Sequence, residues 1–292
     1  MQLCFDATRF GAGLDGAILL AAKKKIPAIE YSFAPFTVRG EKSAGLSTKE
    51  TAFLERIKSL SEENNIAIAC LNIDYCLPVD SKPTDKNFAK MVNKVVKVAK
   101  IVNCKKLAIT VKITGENNWL ENAEGKIGIL KTELEEQGIG LLLRLSTAKE
   151  FRNKSLKHWL AMEPQNWRDL MAGCPGLALS FSPADCVWLG IDYLKILSGI
   201  VSGIEHIEAH DIEISRTMLS DSGMYGPLWW RYRVPGKGQV DWSQLIEALK
   251  LYGFEGYFSI HLDDEFVNDD LESLEEALDN ALKSVAPLVI AL

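Results

Sequence analysis

The chain has 292 residues, 47% of them hydrophobic and 25% charged, which is close to the globular average and excludes a disordered chain, a collagen-like chain or a disulfide mini-scaffold. Its net charge of −6 argues against a nucleic-acid surface, because such surfaces normally carry a basic stripe. No apolar run reaches the roughly 18 residues that a membrane-spanning helix requires, so we expect neither nucleic acid nor a membrane as a partner.

Short apolar runs alternate with longer amphipathic stretches along the whole chain. The runs with the pattern of strands are 2–5, 28–33, 66–73, 106–112, 139–145, 177–181, 204–210 and 257–262. The stretches with helical spacing are 14–25, 48–65, 85–103, 119–137, 163–172, 190–200, 241–252 and 270–283. Ser47 followed by Glu50 predicts a capping box, and Asp241 predicts the N-cap of a later helix.

Eight strands that alternate with eight helices in a chain of this length predict a closed (β/α)8 barrel, a TIM barrel, rather than a doubly wound sheet. No glycine-rich phosphate loop follows the first predicted strand, which further disfavours a dinucleotide-binding fold. No linker, low-complexity segment or internal repeat interrupts the pattern. The fold class is therefore predicted as α/β, with residues 1–292 forming a single TIM barrel.

Polar side chains occupy one face of the seventh predicted strand, where apolar residues are normally found. His206, Glu208 and His210 alternate with Ile207 and Ala209, and residues two apart share a face of a strand. A parallel strand is usually buried on both sides, so three ionisable groups on one face require partners or a ligand. The seventh strand therefore predicts a polar site inside the barrel.

The ends of the neighbouring predicted strands carry further polar side chains. Active sites of TIM barrels lie at the C-terminal ends of the strands. In this chain the inward-facing positions there converge on Arg144, Ser182, Asp185, Glu208 and His261. An internal hydrogen-bond network would explain any one of these residues alone, whereas the whole set predicts a ligand-binding mouth.

Four segments resemble signature motifs of the xylose isomerase-like TIM barrels, the superfamily of sugar phosphate isomerases/epimerases and family 2 AP endonucleases. Residues 181–192, FSPADCVWLGID, are similar to the strand-six pattern FDPSHLVWQGID, and residues 206–211, HIEAHD, to the strand-seven pattern HVHAKD. Residues 229–242, WWRYRVPGKGQVDW, and 253–261, GFEGYFSIH, resemble the patterns WWRYRVPGxGxVDW and GYxGxxSIE around the start of strand eight. The resemblance follows the whole chain in order and implies the same barrel fold.

What the resemblance implies for chemistry is a divalent metal held by a Glu of strand five, an Asp of strand six, a His of strand seven and a Glu of strand eight. The two glutamates would shuttle a proton between adjacent carbons of a sugar. At the matching positions this chain has Arg144, Ser182, Glu208 and His261. The implied ligands carry a charge of about −3, which suits a dication, whereas the residues present sum to nearly zero.

We therefore predict no cofactor, with Arg144 standing in the place of the metal as an internal cation. A guanidinium repels a dication, and its planar fork can pair with a carboxylate, here Glu208 or Asp185. The alternative is a relocated site for one divalent metal, such as Mn²⁺ or Zn²⁺, built from Asp185, Glu208 and His261, with or without His206.

Other polar and aromatic residues near the predicted mouth complete the set of ligand-binding candidates. An arginine suits a phosphate or carboxylate, a tryptophan face suits a sugar ring, and a carboxylate can accept a hydroxyl. These additional candidates are His206, His210, Arg233, Trp188, Trp230 and Glu30. The segment 229–233 is expected as a loop that either contacts the ligand or packs against the rim of its own barrel.

Two functions follow from these expectations. The first is an isomerase/epimerase-like barrel that has lost the metal-dependent chemistry and binds a small polar ligand, a sugar, polyol or carboxylate, at its C-terminal mouth. The alternative is an active isomerase, epimerase or lyase on a small sugar-like substrate, with His261 and Glu208 as catalytic acid–base pair, because a histidine can titrate near neutrality.

The expected surroundings of the protein are those of a cytoplasmic, reduced compartment. The N-terminus shows no signal peptide, and the six cysteines show neither a CxxC pair nor zinc-site spacing, so buried free thiols are expected. The resemblance also allows a homo-oligomer, because barrels of this superfamily commonly self-associate.

Overall fold

The computed structural model describes residues 1–33, 45–78, 86–112, 118–144, 163–224, 226 and 229–290. Its strands, in chain order, are β1 (Gln2–Asp6), β2 (Ala28–Phe33), β3 (Ala67–Pro78), β4 (Lys106–Lys112), β5 (Gly140–Arg144), β6 (Ala178–Phe181), β7 (Ile204–Ala209), β8 (Asp211–Ile214), β9 (Trp230–Arg233) and β10 (Tyr257–Ile260). Eight of them close into a parallel barrel in the order β1-β10-β7-β6-β5-β4-β3-β2. The predicted α/β TIM barrel is confirmed.

Helices cover the outside of this barrel and connect its strands. In chain order they are α1 (Leu14–Lys24), α2 (Thr48–Asn64), α3 (Lys86–Ile101), α4 (Trp119–Glu135), α5 (Pro164–Gly173), α6 (Pro183–Leu189), α7 (Tyr193–Ile200), α8 (Arg216–Ser222), α9 (Trp242–Leu251) and α10 (Leu271–Ile290). None of the described helices is long and apolar enough to cross a membrane.

Local sequence signals explain where several helices begin. The Ser47 hydroxyl accepts a hydrogen bond from the backbone N–H of Glu50, while the Glu50 carboxylate accepts one from the N–H of Ser47. This reciprocal arrangement is the predicted capping box. The predicted N-cap Asp241 accepts from the N–H of Gln244 at 3.0 Å and starts α9.

The structure corrects the predicted elements at three places. The predicted helix 190–200 is α7, which begins only at Tyr193, because Gly190 adopts a left-handed φ of 73° that ends a preceding short helix, α6, which the pattern does not predict. The predicted loop around 229–233 contains the strand β9, which pairs with β8 in an antiparallel sheet outside the barrel. The predicted third strand continues to Pro78, and the predicted residues Asp85 and Leu145 lie outside the described residues.

Small side chains fill the part of the barrel below its polar layers. One buried group contains Cys4, Ala28 and Ala69, and another contains Cys70 with alanines and a leucine of neighbouring strands. The five cysteines whose side chains the structure describes, Cys4, Cys70, Cys104, Cys174 and Cys186, are free and buried, as the sequence predicts. The polar residues of the candidate site lie above and among these small residues, toward the C-terminal ends of the strands.

Candidate functional site

A bidentate ion pair occupies the centre of the predicted site. Arg144, the last residue of β5, donates from Nε to Glu208 Oε1 at 2.8 Å and from Nη2 to Glu208 Oε2 at 2.7 Å. Glu208 on β7 is fully buried, whereas the Arg144 side chain is 19% exposed. Burial alone would raise the pKa of Glu208, but the charge and hydrogen bonds of Arg144 outweigh burial and lower it to about 2. Of the two predicted partners, Arg144 pairs with Glu208.

A chain of hydrogen bonds continues from this pair into the barrel. The Ser180 hydroxyl donates to Glu208 Oε1 at 2.8 Å and lies 2.9 Å from His206 Nδ1. On the other side of the imidazole ring, His206 Nε2 lies 2.9 Å from Glu30 Oε2, and the Asn72 amide donates to the second oxygen of Glu30. The side chains of four strands, β2, β3, β6 and β7, are therefore connected across the lumen.

His261, directly after β10, is the second cation of the site. Its Nε2 lies 3.4 Å from Glu30 Oε1, and its Nδ1 lies 3.8 Å from Asp6 Oδ2 and 4.0 Å from Asp263 Oδ2. Burial would lower the pKa of His261, but the charge and hydrogen bonding of Glu30, followed by the charge of Asp6, raise it to about 9. His261 is therefore an imidazolium at neutral pH, and its Nδ1 has no hydrogen bond among the described residues.

The predicted residues of strand six lie beside this network and are tied to the β8–β9 sheet. Ser182 caps α6, with its hydroxyl accepting from the N–H of Asp185 at 3.1 Å and lying 3.1 Å from His210 Nε2. Tyr232 of β9 donates its hydroxyl to Asp185, and its ring meets the His210 ring edge-on at 4.3 Å. The rings of His210 and His261 lie 5.3 Å apart.

The aromatic and basic candidates lie at the rim. Trp188 stacks on Trp229 at 6.2 Å and meets Trp230 edge-on at 6.0 Å, so these rings bury one another. Arg233 bonds Asp264 at 2.9 Å and also Glu213. The aromatic residues of the segment 229–233 therefore pack against the rim of their own barrel, which is one of the two arrangements predicted for it. Ligand contact by Trp188, Trp230 and Arg233 stays a prediction.

The structure thus brings together most of the predicted site residues, in one network or directly beside it. The connected set contains His261, Glu208, Arg144, Glu30 and His206, with Ser182, Asp185 and His210 adjacent. Sequence reasoning missed Asn72, whose only signal is a lone amide in an otherwise apolar run of β3. It also missed the bond from Tyr232 to Asp185, because the strand β9 was expected as a loop.

The four positions that the resemblance assigns to a divalent metal do not fit one. Both oxygens of Glu208 are engaged by Arg144, and the guanidinium repels a dication. The protonated His261 offers no lone pair to a metal. The Ser182 hydroxyl is used in capping α6 and in bonding His210.

Two groups of side chains among the described residues have potential ligand atoms that all lie within 4.8 Å of one another. Glu208, His210 and His261 form the first, in which His210 takes the place that the alternative prediction gave to Asp185. This group shares the paired Glu208 and the protonated His261 and is unsuited to a dication for the same reasons. The second group, Cys4, Glu30 and His206, lies at a different place, in the lumen.

Comparisons with known proteins agree with this architecture. No protein-family model matches the chain, and no curated protein sequence matches it. Among solved structures, a xylose isomerase domain protein from Planctomyces limnophilus has a TM-score of 0.69 at 15% identity and covers 99% of this chain and 96% of its own. An L-ribulose 3-epimerase has a TM-score of 0.67 at 9% identity, covering 99% and 96%. The IOLI protein, with a binding zinc atom, has a TM-score of 0.69 at 15% identity, covering 99% and 98%.

These similarities define the class of protein by its fold. The chain has the fold of the xylose isomerase-like TIM barrels, and its structural neighbours include proteins described as a xylose isomerase domain protein, a D-tagatose 3-epimerase-like protein and an L-ribulose 3-epimerase. The fold that the sequence motifs predict is therefore confirmed. At identities this low the similarity concerns the fold alone, and the chemistry depends on the residues of the site.

Proposed function

We propose that this chain is an isomerase/epimerase-like barrel that has lost the metal-dependent chemistry and binds a small neutral polar ligand, a sugar or polyol, at its C-terminal mouth. The bidentate pair between Arg144 and Glu208 carries the proposal. It puts a permanent cation where the resemblance implies a dication and engages the carboxylate that could otherwise bind one.

The electrostatic cost of a dication beside this pair is large. Two unit charges about 4 Å apart interact by about 4 kcal/mol at an effective dielectric near 20, so a dication and a guanidinium repel each other by about 8 kcal/mol. Attraction between the dication and the Glu208 carboxylate would offset part of this repulsion only if Glu208 broke its two hydrogen bonds to Arg144. The pair therefore supports a site that works without a metal at this position.

The open edge of the site favours hydroxyl groups as ligands. His261 Nδ1 faces two carboxylates, Asp6 and Asp263, at distances too long for direct hydrogen bonds. A hydroxyl between them can accept from His261 and donate to a carboxylate, which an ionised acid group cannot do. The side chain of Asp263 is 18% exposed, so this edge lies near solvent together with that of Arg144.

The cations near the mouth give no reason to prefer an anionic ligand. Among the described residues, Arg144 and Arg233 are each already paired with carboxylates. A phosphate or carboxylate would have to break one of these pairs and approach Asp6 and Asp263, which repel it. We therefore narrow the predicted ligands to neutral polyhydroxylated molecules.

The alternative function, acid–base catalysis by His261 and Glu208, receives no support from the geometry. A catalytic base works best with a pKa near the working pH, whereas Glu208 has a pKa of about 2 and is held by Arg144. His261, with a pKa of about 9, stays protonated and is a weak acid at neutral pH. The two residues are better explained as fixed charges that orient a ligand.

Thermal unfolding in EDTA tests the proposal with defined probes. D-xylose, D-tagatose, L-ribulose and sorbitol are compared with phosphorylated sugars and aldonic acids. A neutral probe at ten times its Kd is expected to add about 1.4 kcal/mol of stability, which raises the Tm by about 3 °C. Asp263→Asn should weaken that binding about tenfold, while Glu265→Gln, the same charge change in the same loop, should not. Stabilisation only by charged probes, or only with a divalent metal present, would contradict the proposal.

A further inference from the structure

The barrel lumen holds a group of buried polar atoms with unusual neighbours. Cys4 and Glu30 are fully buried and His206 is 1% exposed, and their potential ligand atoms lie within 4.8 Å of one another. His206 Nε2 and Glu30 Oε2 have no hydrogen bond among the described residues, although they lie only 2.9 Å apart. The hydroxyl of Ser259, the β10 residue opposite Cys4, lies beside the Cys4 thiol.

Counting hydrogens shows what the contact between His206 and Glu30 requires. Glu208 is ionised and can only accept, so Ser180 gives its single hydroxyl hydrogen to Glu208 and must accept from His206 Nδ1. With its hydrogen on Nδ1, a neutral His206 has a lone pair at Nε2. That lone pair and the Glu30 carboxylate are then two acceptors in contact, away from water, and a positive charge must lie between them.

The positive charge can be a proton on His206 Nε2 or a metal ion, and a contact of 2.9 Å is compatible with either. A hydrogen on Nε2 does not point at the Glu30 oxygen well enough to form a hydrogen bond. Two ligand atoms of a tetrahedral metal with bonds of 2.0–2.1 Å lie about 3.3 Å apart, so the two atoms, 2.9 Å apart in this structure, must separate slightly to hold a metal ion. The bond from His206 Nδ1 to Ser180 is also the kind of outer contact that orients a metal-binding histidine.

We propose that Cys4, Glu30 and His206 form a buried site for a zinc-like divalent ion, deeper in the barrel than the positions of the superfamily ligands. A thiolate, a carboxylate and an imidazole are a ligand set that selects zinc over magnesium or calcium. The thiolate and carboxylate together balance the charge of the dication, unlike the residues around Arg144. Complete burial makes this a structural ion rather than one that meets a substrate.

The chemistry of Cys4 and His261 sets the conditions for loading. Burial raises the pKa of the Cys4 thiol well above its ordinary value, and the charge of Glu30 adds to the increase, so metal binding must release a proton and weakens as the pH falls. The ion also competes with the His261 imidazolium for Glu30. Because the lumen is closed, the ion is best offered during refolding.

The test uses the full-length chain, refolded from denaturant with Co²⁺ or Zn²⁺ and then passed through a desalting column. We expect about one ion per chain and, with Co²⁺, a thiolate-to-metal charge-transfer band in the near ultraviolet. Cys4→Ser and His206→Gln should each retain less than about one tenth of the ion. Cys70→Ser is the matched control, because Cys70 is as buried as Cys4 but lies on β3, two strands away in the barrel, and it should retain the ion and the band.

The possible results separate this inference from the proposed function, on which it does not depend. No retained ion in the refolded wild-type chain, with its native circular dichroism recovered, would overturn the inference and leave the neutral-ligand proposal intact. An ion that persists in Cys4→Ser and is lost in Glu208→Gln would place the metal at the mouth and overturn both. If Cys4→Ser does not fold, the charge-transfer band of the wild-type chain still decides whether a thiolate binds the metal.

Discussion

Replacing Arg144 by methionine leaves the Glu208 carboxylate buried without its counter-ion. The bonds of this pair hold the pKa of Glu208 at about 2, against an ordinary value of 4.5. At 1.36 kcal/mol for each pKa unit, the difference corresponds to about 3 kcal/mol, which agrees with the 3–5 kcal/mol typical of breaking a buried pair. We therefore expect Arg144→Met to lower the free energy of unfolding at pH 7 by about 3 kcal/mol.

The assay is urea unfolding of the wild type, of Arg144→Met, of Glu208→Gln and of the double variant. Glu208→Gln keeps an acceptor for Ser180, so the cycle isolates the ion pair. The double variant should be more stable than the sum of the single effects by about 2 kcal/mol or more. Arg168→Met on α5 is the control, because Arg168 bonds only Gln165 at the surface among the described residues, and a change within about 0.5 kcal/mol is expected.

The pH dependence of the wild type gives a second measurement of the same pair. A carboxylate with a lowered pKa contributes stability that is fully present above its unfolded value of 4.5 and is lost as the pH falls toward 2. Glu208→Gln should remove this part of the acid dependence. Additive single-variant effects in the cycle, or an Arg144→Met protein as stable as the control, would refute the reasoning.

Three further predictions concern the same chain. His261 has a pKa raised from 6.5 to about 9, so it contributes about 3 kcal/mol that is present below pH 6.5 and lost as the pH rises through 9. His261→Gln should flatten this part of the stability curve, and an unchanged curve would exclude His261 as its source. The four-fold variant Arg144→Glu, Ser182→Asp, Glu208→His and His261→Glu should bind one divalent ion at the mouth, seen by calorimetry in a Cys4→Ser background. A folded variant without binding would show that the carried-over positions are wrong. Asp241→Ala removes the N-cap of α9 and should lower the free energy of unfolding in urea by about 1 kcal/mol. An unchanged free energy would show that the cap does not stabilise the protein.

The sequence by itself determines the barrel and the polarity of its interior. Alternating strand and helix patterns predict the eight strands, and the motif around Ser182 and Asp185 resembles that of barrels with the fold that the structure has. The two-residue period of β7 is sufficient to place His206 and Glu208 in the lumen, because a strand has only two faces. The sequence also shows that Arg144, Ser182, Glu208 and His261 stand at the positions where the resemblance implies metal ligands.

Only the tertiary structure decides which of these side chains meet. Arg144 could pair with Glu208 or Asp185 as far as the sequence shows, and Asp185 is instead bonded by Tyr232 from a strand that local patterns do not reveal. Asn72 likewise reaches Glu30, 42 positions earlier in the chain. Such contacts depend on the register between strands and on the closure of the barrel, which arise from the packing of all eight strands together and leave no mark in any short segment.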